Sequence, residues 1–499
     1  MKVFISYIIL ILLIPILLKA QDDESIGYKN DVYWQGNNKH AHLLYNRAIS
    51  RQSHLAWATG NHTSSPVPCG AIGPEKYLKQ IKGIIDNTLI GKITKEAIYD
   101  KTNIIMVIGD GFGFNHMALP IYMRIAESDT NKTYFERIMY EGSNAIMLTN
   151  PVNGLVTGSA AAATAIATGT KTLLDILGLD QNGNMLETSM ELAKKNNFQT
   201  GLVTDAGITD ATPAGFYAHI HNRDLENEVA RQLLESNFDV IFGGAALKFI
   251  PQNTKLKDLK EFKDCNYFNR GLSERTDNLN LINGFAEKGY KIIGDKSGLN
   301  NLDTNTEKVL GLFASGGLSA AIDRDDENTG EPSLVEMAQK SIQILDKDSN
   351  NFFVMIEAGR IDWEAHDNDA GAVYKAVDEL NRVLKVCYEY QKKNPNTLLV
   401  FLADHETGGL NISYTKVSEE NAFKKDLSNN KKWLSITDPL HFQEYEKLKS
   451  PKKSLYKIFS AAKSKEELLD LLNSNSDYKI NIEDAEVIFN SLMNYKKAK

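Results

Sequence analysis

The chain has 499 residues, 42% hydrophobic and 24% charged, with 56 Lys and Arg against 64 Asp and Glu for a net charge of −8. That balance excludes a disordered or fibrous chain, leaves room for one large α/β domain with insertions, and lacks the basic footprint of a nucleic-acid binder. The three cysteines, Cys69, Cys265 and Cys387, include no CxxC pair, which argues against a thiolate zinc finger, an iron–sulfur cluster or a disulfide scaffold and leaves at most one disulfide of unspecified pairing.

In chain order, the first feature is Lys2 followed by the apolar run Val3–Leu18, broken by Pro15, with Ala20 as the small residue at a cut site. The run is shorter than the ~20 residues a spanning helix needs, so it predicts a secretory signal peptide over 1–20. The mature chain is then expected to be secreted or periplasmic, with no membrane contact after cleavage. Asn61-His62-Thr63, Asn131-Lys132-Thr133 and Asn411-Ile412-Ser413 fit the N-glycosylation pattern, which is short enough to arise by chance. Residues 21–100 are polar with few strand signals and read as an N-terminal extension lying on the core.

From Asn103 the texture changes. Apolar runs at Ile104–Ile108, Ala145–Leu148, Gly201–Thr204, Val240–Phe242, Phe352–Ile356 and Leu398–Leu402 predict strands, with helical stretches such as Ser333–Leu345 and Ala370–Tyr390 between them. Such alternation predicts an α/β/α sandwich with a largely parallel central sheet over residues 101–415. The Asn-, Asp- and Lys-rich stretch 251–330 reads as an insertion, and 416–499 as a helical segment.

In open parallel sheets, active sites gather at the carboxyl ends of the strands. Here four predicted strands end in groups that ligate metals: Asp110; Glu357, then Asp362 and His366; Asp404-His405; and Asp210 with Thr212. One such carboxylate alone is ordinarily a helix cap or turn residue. Several in one domain, two with a histidine beside them, point to metal binding. Asp362 and His366 are four apart, so on a helix they share one face. Mixed oxygen and imidazole ligands suit zinc, and oxygen ligands suit magnesium. Asp110, Asp210, Thr212 and Glu357 could form an oxygen site, and Asp110 could bridge to a zinc on Asp404 and His405.

Ser159 stands between Gly158 and an alanine-rich stretch. Alanine favours helix, which puts Ser159 at a helix N-terminus where amides attract an anion. An ordinary N-cap serine would look the same, but beside a metal its hydroxyl would become a nucleophile. Arg223 could clamp two phosphate oxygens, or form a surface salt bridge.

Jointly, IGDGFG (108–113), TGSAAAATAIATGTKT (157–172), TDATPAGFYAHIHNR (209–223), IEAGRIDWEAHDNDA (356–370) and ADHETGG (403–409) resemble the alkaline phosphatase family, in the family's order, from Asn103 to Ser413. The resemblance implies a hydrolase of phosphate monoesters with two zinc ions and one magnesium. Ser159 would be phosphorylated, and Arg223 would bind the substrate phosphate. Asp110, Asp404 and His405 would hold the zinc that activates Ser159. Asp362 and His366 would belong to the zinc at the leaving group, and Asp210, Thr212 and Glu357 would hold magnesium with Asp110 shared. A homodimer is left open.

Three departures from the family pattern stand out. Gly158 replaces an aspartate common before the nucleophile, and Trp363 replaces a side chain that is often basic. Family members also carry a His-Thr motif, followed by an apolar strand, well after the Asp-His pair, and that His completes the leaving-group zinc. After His405 this chain has one histidine, His441, in an unmatched context. The chain therefore reads as truncated within its C-terminal segment, with a leaving-group zinc short of a ligand, weak binding there and poor turnover. The alternatives are a phosphodiesterase of the same superfamily, and a metal- or phosphate-binding homologue with impaired catalysis. A sulfatase would want Cys-x-Pro-x-Arg or Ser-x-Pro-x-Arg, which the chain lacks.

Overall fold

The computed structural model describes residues 39–262, 271–324, 329–347, 350–413, 415–416, 437–438 and 442–498; residues 1–20, Cys265 and His441 lie outside them. The strands that matter here are β1 (Leu55–Ala56), β2 (His62–Thr63), β3 (Val67–Ile72), β4 (Gly83–Asp86), β5 (Asn103–Gly109), β6 (Ser143–Leu148), β7 (Gln199–Gly207), β8 (Val240–Gly244), β9 (Lys291–Ile293), β10 (Val309–Leu312), β11 (Phe352–Ala358), β12 (Thr397–Ala403), β13 (Glu406–Thr407) and β14 (Asn411–Ile412). Ten of them form one sheet in the order β4-β6-β3-β12-β5-β11-β7-β8-β10-β9. Only β3 runs against its neighbours; the other pairs are parallel.

The central strands are continuous apolar runs because helices cover both of their faces. Ile104–Ile108, Phe352–Ile356 and Leu398–Leu402 are all buried. The helices that matter here are α1 (Lys39–Ser53), α2 (Ser159–Thr168), α3 (Ala211–Ala214), α4 (Leu334–Leu345), α5 (Arg360–His366), α6 (Ala370–Lys393), α7 (Leu455–Ala461), α8 (Lys465–Asn475) and α9 (Ile482–Ala498). A Ser333–Glu336 capping box starts α4, and Asp369 caps α6. All six expected strands and both expected helices form.

The reading of residues 21–100 as an extension on the core needs correction. Residues 67–72 form β3, inserted between β12 and β6, and 83–86 form the edge strand β4. Pro68 and Gly70 hide β3 in the sequence, since both residues ordinarily interrupt strands. Gly70 is needed there: a Cβ would stand 2.3 Å from the Phe401 ring. The stretch 251–330 likewise adds β9 and β10 to the far edge of the sheet. Cys69 and Cys387 are buried and free.

Helices α1, α7, α8 and α9 build a second, smaller core around Tyr45, Ile49, Phe459, Leu472, Ile488 and Leu492. Buried carboxylates fasten it to the sheet domain: Asp323 accepts hydrogen bonds from the Ser454 amide and hydroxyl, and Asp369 accepts one from the Leu455 amide. Among the described residues, no helix is long and apolar enough to cross a membrane.

Candidate active site

The carboxyl ends of β5, β11, β7 and β12 deliver Asp110, Glu357, Asp210 and the Asp404–His405 pair to one edge of the sheet, and α5 adds Asp362 and His366. Gly111 makes the β5 turn with φ +68°, and a Cβ there would stand 2.8 Å from Asp362 Oδ1 and 2.9 Å from Thr407 Oγ1. Both the left-handed backbone and the close approach require glycine.

Ser159 opens α2 after an extended Gly158, as expected. Its buried Oγ lies 3.2 Å from His405 Nε2. The same Nε2 is 3.2 Å from Asp404 Oδ2 and 3.5 Å from Asp110 Oδ1. Thr407 Oγ1 donates to Asp362 Oδ1 at 2.5 Å and so accepts from His405 Nδ1 at 3.3 Å. His405 therefore carries its proton on Nδ1 and turns the Nε2 lone pair toward Ser159 and the carboxylates. Asp110 Oδ1 and Asp404 Oδ2 are buried without a hydrogen-bond partner. Orphaned carboxylate oxygens around an imidazole lone pair call for a cation, and this mixed donor set fits zinc.

Electrostatics agree. Burial, then Asp404, pushes the Asp110 carboxyl well above its ordinary range. Burial, then Asp362, raises Asp404 to about 7. A bound cation would reverse both shifts.

A second cluster joins Asp362, His366 and a residue outside the expected set, His62. His366 Nε2 lies 3.3 Å from Asp362 Oδ2, and His62 Nε2 lies 3.1 Å from His366 Nε2. The His62 ring also stacks on His405 at 3.7 Å between centroids. Burial pushes Asp362 up, but His366, His62 and His405 overcome it and hold the carboxyl well below its ordinary value.

On the other side, Asp110 Oδ2 accepts from Thr212 Oγ1 at 3.1 Å, and Glu357 accepts from Thr204 Oγ1. Burial, then Asp210, pushes Glu357 well above its usual range. Asp110, Thr212 and Glu357 thus form a hard oxygen set that fits magnesium. Asp210 stands beside it but accepts from the Ala211 amide at 2.7 Å and pairs with Arg223. Trp363 stacks on the Arg360 guanidinium, 4.8 Å from its ring centroid, and fills the space beside Gly317.

His62, Thr204 and Thr407 were not expected here. A His-Thr pair followed by an apolar strand does occur in the chain, at His62-Thr63 and Val67–Ile72, upstream of Asp404-His405. Thr204 and Thr407 carry no spacing signal at all.

Residues 101–484 match the family described as alkaline phosphatase, leaving residues 55–100 outside the match. Alkaline phosphatase 4 of Bacillus subtilis is 34% identical over 321 residues, covering 62% of this chain and 62% of that protein. Escherichia coli alkaline phosphatase is 29% identical, covering 62% and 72%. The crystal structure of Thermus thermophilus alkaline phosphatase aligns with a TM-score of 0.64 and 25% identity, covering 79% of this chain and 77% of that one. The chain thus spans less than two thirds of the length of the B. subtilis relative.

Proposed function

The chain belongs to the alkaline phosphatase family, and on that premise we propose that it hydrolyses phosphate monoesters through a phosphorylated Ser159. One observation carries this reading: the Ser159 hydroxyl sits at the N-terminus of α2, 3.2 Å from the His405 lone pair and beside two buried carboxylates with orphaned oxygens. Asp110, Asp404 and His405 would hold one zinc ion, and Asp362 and His366 belong to a second. Asp110, Thr212 and Glu357, with Asp210 beside them, would hold magnesium. When bound, these ions lower the pKa of the serine hydroxyl and of water and neutralise charge on the oxygens entering and leaving phosphorus.

The chain's own groups do the rest. Ser159 Oγ attacks phosphorus as the ester oxygen departs; water then displaces Ser159 and releases phosphate. The free amides of the first turn of α2 face the incoming phosphate and favour its charge. Asp210 fixes the Arg223 guanidinium through Nη2, which leaves the rest of the fork for non-bridging phosphate oxygens. Gly158 supplies no carboxylate for that task, and the Asp210–Arg223 pair supports Asp210 in it.

The apolar run Val3–Leu18 behind Lys2 supports export to the periplasm or beyond. Ser159→Ala tests the nucleophile. The wild type is expected to yield an acid-stable labelled phosphoenzyme and the variant none, with the fold retained. Equal labelling would overturn the assignment and move it to Thr157.

A further inference from the structure

His62 lies outside the family match, yet its ring stands at the second metal cluster. Its Nδ1 is 2.9 Å from the Thr157 carbonyl oxygen, and His366 Nδ1 is 2.6 Å from the Gly60 carbonyl oxygen. A carbonyl only accepts, so each Nδ1 carries the proton and each Nε2 the lone pair. The two Nε2 atoms face each other at 3.1 Å. Asp362 adds Oδ2 at 3.3 Å from His366 Nε2 and Oδ1 at 3.7 Å from His62 Nε2. With both rings neutral, no proton joins the two nitrogens, and a cation between them accounts for their approach. Ligands bound to a tetrahedral zinc at about 2.0–2.1 Å stand roughly 3.3–3.4 Å apart, close to the 3.1 Å between the two nitrogens and the 3.3 Å from His366 to Asp362. Backbone carbonyls on the far ring nitrogens are the outer contacts by which proteins aim metal-binding histidines.

Strand pairing explains how this residue reaches the site. Leu55 pairs with Ile412, Thr63 with Glu406 and Cys69 with Leu402, all antiparallel. That is the register of a hairpin whose second arm would follow Ile412, yet the arm comes from the part of the chain before β5. Because β3 runs against β12, its start rather than its end lies at the catalytic edge. His62, just ahead of Val67, is delivered there. Residues 55–72 are therefore built into the site, not laid over it.

We propose that His62 is the third protein ligand of the second metal centre, and that residues 55–100 are the closing segment of the catalytic domain, carried ahead of it in the chain. The proposal rests on the reading of Asp362 and His366 as metal ligands, and it replaces the expectation of a centre short of one ligand.

Two measurements on the full chain test it. The first is zinc content and affinity of the wild type and of His62→Gln, by elemental analysis and chelator competition. The wild type is expected to hold two zinc ions; in His62→Gln the second should bind roughly 100-fold or more weakly, since even outer contacts are worth about 10–100-fold. The second is hydrogen exchange of the wild type, chelated and zinc-loaded. The second zinc equivalent should protect residues 60–63 together with 360–366. Two tight zinc ions in His62→Gln, or unchanged exchange at 60–63, would overturn the proposal. A wild type with no zinc and no phosphoenzyme would instead refute the phosphatase reading.

Discussion

Thr407 is the hinge between the two zinc candidates, and replacing it by valine isolates that role. Its hydroxyl donates to Asp362 Oδ1 and accepts from His405 Nδ1. Valine keeps the volume and removes both bonds. His405 then loses the acceptor that fixes its tautomer; once the proton is free to sit on Nε2, the lone pair facing Ser159 is lost for part of the population. Asp362 loses a donor in a fully buried setting, where an unmet hydrogen bond costs about 1–3 kcal/mol. Loss of such an outer contact lowers metal affinity about 10–100-fold, or about 1.4–2.7 kcal/mol per ion. Because one hydroxyl serves one ligand in each cluster, both affinities should fall together. Titration of zinc against a chromophoric chelator reads this directly. Saturating zinc should restore phosphoenzyme formation, and Thr407→Ser should bind as the wild type does. Unchanged affinity at both centres in Thr407→Val would refute the tautomer argument.

Two further outcomes are expected. Arg223→Ala should lower kcat/KM for phosphate monoesters more than for diesters, by about 10–100-fold, since charge-assisted hydrogen bonds are worth about 1.5–3 kcal/mol and a diester has fewer free oxygens to offer; an equal loss on both substrates would make the Asp210–Arg223 pair purely structural. Burial, then Glu379, raises the Asp205 carboxyl to about 6, so the folded state holds this proton more tightly than the unfolded state. Its contribution is present below about pH 4 and is lost as pH rises through about 6, by at most about 3 kcal/mol. Asp205→Asn keeps the acceptor for the Gly359 amide at 2.7 Å and removes the titration. In urea unfolding the variant should gain on the wild type between pH 4 and pH 7, and parallel curves would count against the shift.

Much of the fold was legible because β5, β11 and β12 are buried on both faces and spell unbroken apolar runs. The Asp362–His366 pair was legible because a helix gives its ligands a fixed spacing. β3 was not, because Pro68 and the steric demand at Gly70 replaced its apolar signature. His62 was hidden for a different reason: a ligand that arrives across a strand pairing has no characteristic distance in sequence from its partners. Its dipeptide lay in the open, but ahead of the Asp-His pair and inside a glycosylation triplet. The place of Asp210 near a strand end and the family resemblance both group it with the magnesium ligands, and its contact with Arg223 shows what else it holds.

The side-by-side packing of α1 and α9, joined by His40 Nδ1 and Ser491 Oγ at 3.1 Å, gives the molecule a mechanical order of failure. Opposed tension applied at residues 39 and 498 would load this helix pair before any force reached the ten-stranded sheet. The small core around Tyr45 and Phe459 would yield first. Asp323 and Asp369, which bind the start of α7 to the sheet domain, form the next link. The β12–β3 pairing that holds His62 in place lies behind both, so a stretched molecule should lose its helical clasp while its metal-binding edge still stands.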